Sequence, residues 1–309
     1  MEIKVNAVQR EKELTILQFS TMKQDTFKYI SLAKAIEKNL LEIREISQSG
    51  DVNNLIVFNL AKDYVFLMDG DILEGAKQNR VVNTSVLVAP NSKIVLPVSC
   101  VEQGRWDFVS DKFKEANYTA PMKMRAKKAQ KVRQNLDQSR GHESDQGEVW
   151  DDVRNYSISF NVSSNTSNLS DIYTSKAKHF EKFINEFKIN GDSNGIALFV
   201  RKQLLSIDAF NRRDIYSQYF TKILKSAAFE TYQLKNTKDH PSEAEVSYKA
   251  KTFFDALKER EYREFDGPGV GIEKRFESDN LTGVELNYRN HLIHLTALNT
   301  STSFEINNN

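Results

Sequence analysis

Arg80 and Arg105 frame a group of polar residues, Gln78, Asn79, Glu102 and Gln103, that ends in Trp106. A guanidinium offers forked donors to a phosphate or carboxylate, an amide presents a donor and an acceptor together, and an indole beside an arginine can stack on a base. The stretch from Tyr64 to Trp106 therefore reads as the functional surface, with Gln78, Arg80, Arg105 and Trp106 as ligand-binding groups and Glu74, Gln146 and Trp150 as further members. Glu102 stands just past an apolar run, at the mouth of a strand, where a carboxylate serves as a general base or orients a hydroxyl. Asp208, an acid between Ile207 and Phe210, is a second catalytic candidate, with capping of the following helix as its plainer duty. The plainer reading of both arginines is an ion pair with Glu102 or Glu74 that braces loops.

Other chemistry is harder to build. Cys100 alternates with Ile94, Leu96 and Val98, so it faces a core, and no base accompanies it. Asp69-Gly70-Asp71 has the composition of a hairpin turn more than of a cation site. His142 and His240 lie in polar turns, and His291 and His294 fall on opposite faces of a strand, so no metal site is expected and no cofactor is implied. Gly267-Pro268-Gly269-Val270-Gly271 leads into a strand, not a helix, and lacks the N-terminus that cradles phosphate.

The elements that must position these residues follow from pattern. Runs rich in Ile, Val and Leu at Leu41–Ile46, Asn54–Leu60, Tyr64–Met68, Arg80–Ala89 and Lys93–Val101 are separated by short turns that leave no room for crossover helices, so the strands should be antiparallel. Ser31 should cap a short helix to about Asn39. The basic segment from Met122 to Arg140 reads as a solvated amphipathic helix, facing an acidic turn at Glu143 to Asp152 that partly neutralises it. Asn155 to Ser175, rich in Ser and Asn, reads as a loop. Apolar stripes then mark helices around Phe180–Phe187, Ile215–Ala227 and Val246–Leu257, the last opened by a capping box at Ser242. Gly195–Val200 and three closing runs, Val270–Phe276, Leu281–Tyr288 and His291–Leu298, read as strands.

The expected fold is α+β: a largely antiparallel β-sandwich or open half-barrel with a cluster of amphipathic helices in the C-terminal half. We expect one domain over 1–298, with a β-rich part (1–121) and an α-rich-plus-β part (170–298) joined by a polar segment (122–169), and a disordered tail over 299–309.

Composition narrows the partners. With 43 basic against 42 acidic residues there is no global field to favour nucleic acid or an anionic membrane. No apolar run reaches the roughly 18 residues of a spanning helix, and a single cysteine excludes an internal disulfide framework. The expectation is a cytoplasmic protein with no membrane or nucleic-acid partner.

At Gly75-Ala76-Lys77-Gln78-Asn79-Arg80 and at Val98-Ser99-Cys100-Val101-Glu102-Gln103-Gly104-Arg105-Trp106 the sequence resembles the ADP-ribosylglycohydrolase and rhodanese-phosphatase-superfamily associated protein family. Further matches lie at Gln146 to Trp150, Ile207 to Phe210, Thr282 to Leu286 and His291 to Leu295; Ala76 departs from the glycine expected there. The resemblance implies company with enzymes that handle ADP-ribose or phosphate esters, not that this chain does such chemistry. Two readings stand. In one, Gln78, Arg80, Glu102, Arg105 and Trp106 bind, and in an enzyme process, a nucleotide-like or ADP-ribose-like anionic small molecule. In the other, the motif braces the loops of a non-catalytic interaction domain and presents Trp106 to a protein partner. They separate on whether the arginines converge on a cavity or are satisfied by internal acids.

Overall fold

The computed structural model describes residues 1–21, 27–232, 234, 240–278 and 280–301. Among them are seven α-helices and seventeen strands, and six of the helices follow residue 121. The fold is α+β, as expected, and its sheets are antiparallel save for the pairing of Tyr29–Ser31 with Tyr64–Leu67.

An eight-stranded sheet runs, edge to edge, through Ile3–Glu11, Leu14–Thr21, Gly195–Val200, Gln203–Phe210, His291–Asn299, Leu281–Tyr288, Ile272–Ser278 and Arg263–Asp266. Both its faces are covered. Leu14, Ile16, Ile196 and Leu198 point into a core shared with the helices Met122–Asp137, Gln146–Phe160, Ala177–Ile184 and Arg213–Thr231. Leu17, Phe19, Ala197 and Phe199 point the other way, onto Val246, Ala250 and Phe254 of the helix Glu243–Ala256. Strict alternation of two apolar sets explains why these central strands read as continuous hydrophobic runs.

A six-stranded sheet runs through Lys114–Thr119, Asp71–Glu74, Arg80–Val82, Ser92–Cys100, Asn54–Asn59 and Leu41–Glu45, and a three-stranded one through Tyr29–Ser31, Tyr64–Leu67 and Val86–Val88. They share a third core, Leu41, Val57, Val65, Leu73, Val86 and Leu96 among its members, which the short helix Leu32–Glu37 closes with Leu32 and Ala35. Ser31 caps that helix as expected.

Several local expectations are corrected. The run Arg80–Ala89 is two strands in different sheets, broken at Asn83–Ser85, because those side chains bond elsewhere: Asn83 accepts from Ser99 (2.9 Å), Thr84 donates to Glu273 (2.7 Å) and Ser85 meets His294 (2.9 Å). Asp69-Gly70-Asp71 joins strands of different sheets and makes no hairpin. The acidic turn is the start of a helix, Gln146–Phe160, which Asp145 caps, and the supposed loop holds that helix's end and a second one, Leu169–Ser175, capped by Asn168. Ser, Asn and Asp mark helix starts as readily as loops. The basic segment is the helix Met122–Asp137, yet it is half buried, with Met124, Arg125, Lys128 and Val132 inside. Its expected neutralisation is present: Lys127 pairs with Asp152 (2.5 Å) and Lys131 with Asp145 (3.4 Å). The tail called from Asn299 begins inside a strand, with the Asn299 amide donating to the Leu204 carbonyl (2.6 Å); 302–309 lie outside the described residues. No helix among the described residues is long and apolar enough to cross a membrane.

Candidate functional site

Three loops, 75–79, 101–113 and 164–168, meet at the end of the six-stranded sheet and bring the sequence motif together. Gly75 and Ala76 turn the first loop with φ of 129° and 41°. The left-handed conformation at Ala76 is the one a glycine adopts without steric cost, which gives a physical reason for the glycine expected there. Glu102 lies at the centre, almost wholly buried. Its carboxylate accepts from the Asn79 backbone (3.2 Å), the Thr166 hydroxyl (2.9 Å) and the Arg105 guanidinium (2.6 Å). Arg105 also donates to the backbone, reaching Ala76 O at 2.7 Å and Asp107 O at 3.0 Å, and to Asn79 Oδ1 at 3.3 Å.

Arg80 has no solvent exposure. It donates to Gln78 O (3.1 Å), Gln78 Oε1 (3.3 Å) and Asp51 O (3.4 Å), and its guanidinium lies 3.6 Å from Glu45. Trp106 covers it, with the Arg80 guanidinium and the Lys77 ammonium each 5.5 Å from the ring centroid. Gly50 fits beneath, where a side chain would come within 2.9 Å of the indole. Gln78, Arg80, Glu102, Arg105 and Trp106 thus converge, but as a brace: both arginines end on internal acids and carbonyls, save the buried Arg80 Nε, which has no partner.

The other candidates attach to this brace or lie apart from it. Glu74 accepts from Ser170 (2.8 Å) and from the Tyr118 hydroxyl, and Ser170 accepts from Asn79 (3.1 Å). Gln146 closes the end of strand Ser92–Cys100, its side-chain amide pairing with both the N–H (2.7 Å) and the C=O (2.8 Å) of Cys100. Trp150 keeps its indole N–H buried without a partner. Cys100 is buried, and burial pushes its thiol up to about 11.

The brace leaves apolar surface outside it. Trp106 is 41% exposed, Phe108 60% and Val109 61%, on the loop 101–113; Ile46 and Val52 are exposed on the loop 46–53. The two loops are laced through the first, Lys77 N–H to Glu45 (3.3 Å) and Val109 N–H to Ala76 O (3.1 Å).

Asp208 is not a helix cap. It sits inside strand Gln203–Phe210, and the next helix starts at Arg212 without a side-chain cap. Arg125 reaches it across the core, Nη2 donating to Asp208 Oδ1 (2.7 Å), while Nε and Nη2 fork onto Asp69 at 2.9 and 3.1 Å. His294 Nε2 lies 3.4 Å from Asp208 and Nδ1 2.9 Å from the Ser85 hydroxyl. Burial raises the Asp208 carboxyl, but Arg125 and His294 outweigh it and hold it below the ordinary carboxylate value. Across two intervening strands of the same sheet, Glu273, paired with Arg275 (2.7 Å), is likewise held down at about 2 against its burial. Lys222 joins Asp71 (3.3 Å) and Glu115, and Lys128 donates to Val82 O (2.7 Å). Burial drives the Lys128 ammonium down to about 7 and Glu115 up to about 7.

Asp69, Asp208 and His294 offer ligand atoms within 4.8 Å of one another, a set the sequence reading missed. Arg125 stands among them and already supplies the positive charge that two carboxylates demand. The adjoining cavity, lined by Asp69, Ser85, Arg275 and His294, measures about 10 Å³, space for about one water. The signal available in the sequence was a charged residue at an inward position of an apolar strand: Asp208 after Ile207, and His294 between Ile293 and Leu295.

Antiparallel sheets packed on helices, a buried ionic core and a braced polar motif define a class of α+β protein whose conspicuous residues hold loops in place. The family described as "ARG and Rhodanese-Phosphatase-superfamily-associated Protein domain" matches residues 2–298, and the chain belongs to it. No curated protein and no solved structure matches the chain.

Proposed function

We propose that this chain is a non-catalytic interaction domain, one α+β unit over 1–298, that presents Trp106, Phe108 and Val109 to a protein partner. One observation carries the reading. Arg105 and the terminal nitrogens of Arg80 are engaged internally, by Glu102, Glu45 and carbonyls, with only the fully buried Arg80 Nε left without a partner, while the apolar side chains they support face solvent. Exposed aromatic clusters on rigid loops are the usual anchors of protein interfaces. The partner we commit to is a protein of the ADP-ribosylglycohydrolase or rhodanese-phosphatase superfamily, because the family is named for its association with them. The single cysteine, buried, suits a reducing, cytoplasmic setting.

The small-molecule reading, a nucleotide-like or ADP-ribose-like anion held by Gln78, Arg80, Glu102, Arg105 and Trp106, requires guanidinium donors free to face a ligand. Calorimetric titration of purified proteins of the two superfamilies from the same source, against wild type and Trp106→Ala, separates the readings. The interaction reading expects binding by wild type, weakened at least tenfold in a folded Trp106→Ala. Absence of binding to either superfamily, with thermal stabilisation by ADP-ribose or a mononucleotide that Arg105→Ala loses, would replace it with the small-molecule reading.

A further inference from the structure

We propose that the cavity between strand Lys114–Thr119 and the helices Leu169–Ser175, Ala177–Ile184 and Arg213–Thr231 binds a small aromatic monoanion, its ring against Tyr173 and Phe180 and its carboxylate on Lys225. This site is separate from the Trp106 surface and does not rest on the interaction reading.

Size sets the first limit. The cavity measures about 220 Å³. An apolar cavity of roughly 150 Å³ takes benzene, and drug-sized ligands start at about 300 Å³. The space therefore suits one substituted or fused ring and is too small for a whole dinucleotide or ADP-ribose.

The walls set the second. Tyr118 and Tyr173 stack with ring centroids 3.7 Å apart, and Phe180 lies 5.3 Å from Tyr173. Both phenols bond away from the space, Tyr173 to Thr119 O (2.6 Å) and Tyr118 to Ser170 (2.7 Å) and Glu74, so these two residues offer it ring carbon and not hydroxyl, while Asn117, Thr174, Glu181 and Lys225 make the rest of the lining polar. Such a wall favours a planar apolar body.

The lip sets the third. Lys225 donates to the carbonyl and side-chain oxygens of Asn117, at 3.2 and 3.0 Å, and no carboxylate among the described residues lies within ion-pair distance of it. Burial draws its ammonium below the ordinary value, so it gains from an anion brought to it. A carboxylate is that anion, since charge-assisted hydrogen bonds are the strong ones. Glu181, also on the lip, opposes any anion beside Lys225 and opposes a dianion twice as strongly, which favours a monoanion such as a carboxylate over a phosphate ester.

Calorimetric titration with benzoate, phenyl phosphate and uncharged indole tests the site in wild type, Lys225→Met and Ala177→Leu. Lys225→Met removes the charge and keeps the aliphatic stem; Ala177→Leu fills the space without touching the charge. The expected result is binding of benzoate by wild type, about tenfold weaker in Lys225→Met and lost in Ala177→Leu, with the largely dianionic phenyl phosphate bound less tightly than benzoate and both variants as helical as wild type by circular dichroism. No binding of benzoate to wild type, or binding unchanged in both variants, overturns the proposal; so does indole or phenyl phosphate binding as tightly as benzoate.

Discussion

Arg125 and Asp208 face each other at 2.7 Å with neither side chain exposed to solvent, and the same guanidinium forks onto Asp69. A buried ion pair adds little net stability over an apolar equivalent, but removing one partner strands a charge. Arg125→Met would strand two carboxylates, so we expect a loss of about 3–5 kcal/mol, measured by urea unfolding at pH 7. Arg125→Lys should recover little of it, since an ammonium lacks the planar fork. The sign with pH follows from Asp208, whose carboxyl is held below its ordinary value. Its contribution is present above the unfolded value, about 3.9, and fades as the pH falls below it. Wild type should therefore lose stability steeply below about pH 4, and Arg125→Met should lose less there. A difference under about 1 kcal/mol at pH 7 would show that the pair does not hold the sheets to the helix.

Lys128 and Glu115, both titrating near 7, set a second pH dependence. Between about pH 7 and 10 the unfolded chain keeps a proton on Lys128 that the fold has released, so stability rises with pH, by at most about 1.4 kcal/mol per unit. Between about pH 4.5 and 7 the fold holds a proton on Glu115 that the unfolded chain has lost, so stability falls. Together they place a minimum near neutrality. Urea midpoints across that range should show it, with Lys128→Met flattening the alkaline limb and Glu115→Gln the acid limb. A wild-type profile that is flat from pH 6 to 9 would exclude both shifts.

What the sequence disclosed was periodicity. The run Asn54–Leu60, the apolar stripe over Ile215–Ala227 and the capping box at Ser242 each correspond to an element found in place. It disclosed the motif loops as well, since Gln78, Glu102 and Arg105 do meet. The ionic core stayed hidden because its parts, Asp69, Arg125, Asp208 and His294, come from four separate segments, and long-range pairing leaves no local period. Asn83–Ser85 was illegible for a related reason: their side chains find partners on distant strands, and that ends a ladder which β-propensity alone would continue.

Arg105 decides how the motif is to be understood. As a ligand clamp it would lose binding on truncation while the fold kept its stability. As a brace it joins the loop 101–113 to Ala76 O and pairs within that loop with Glu102, whose side chain is 4% exposed and would be left without its charged partner. We expect Arg105→Ala to cost about 2 kcal/mol in urea unfolding, the cost of an unsatisfied buried acceptor. Arg105→Ala combined with Glu102→Gln should recover part of that loss, because the stranded charge goes with the second change. Trp106→Ala should cost less than Arg105→Ala, since the indole is 41% exposed and lies over the brace without bonding to it. If Arg105→Ala is as stable as wild type, the bonds to Ala76 and Glu102 do not hold the loops, and the guanidinium is free to serve a ligand instead.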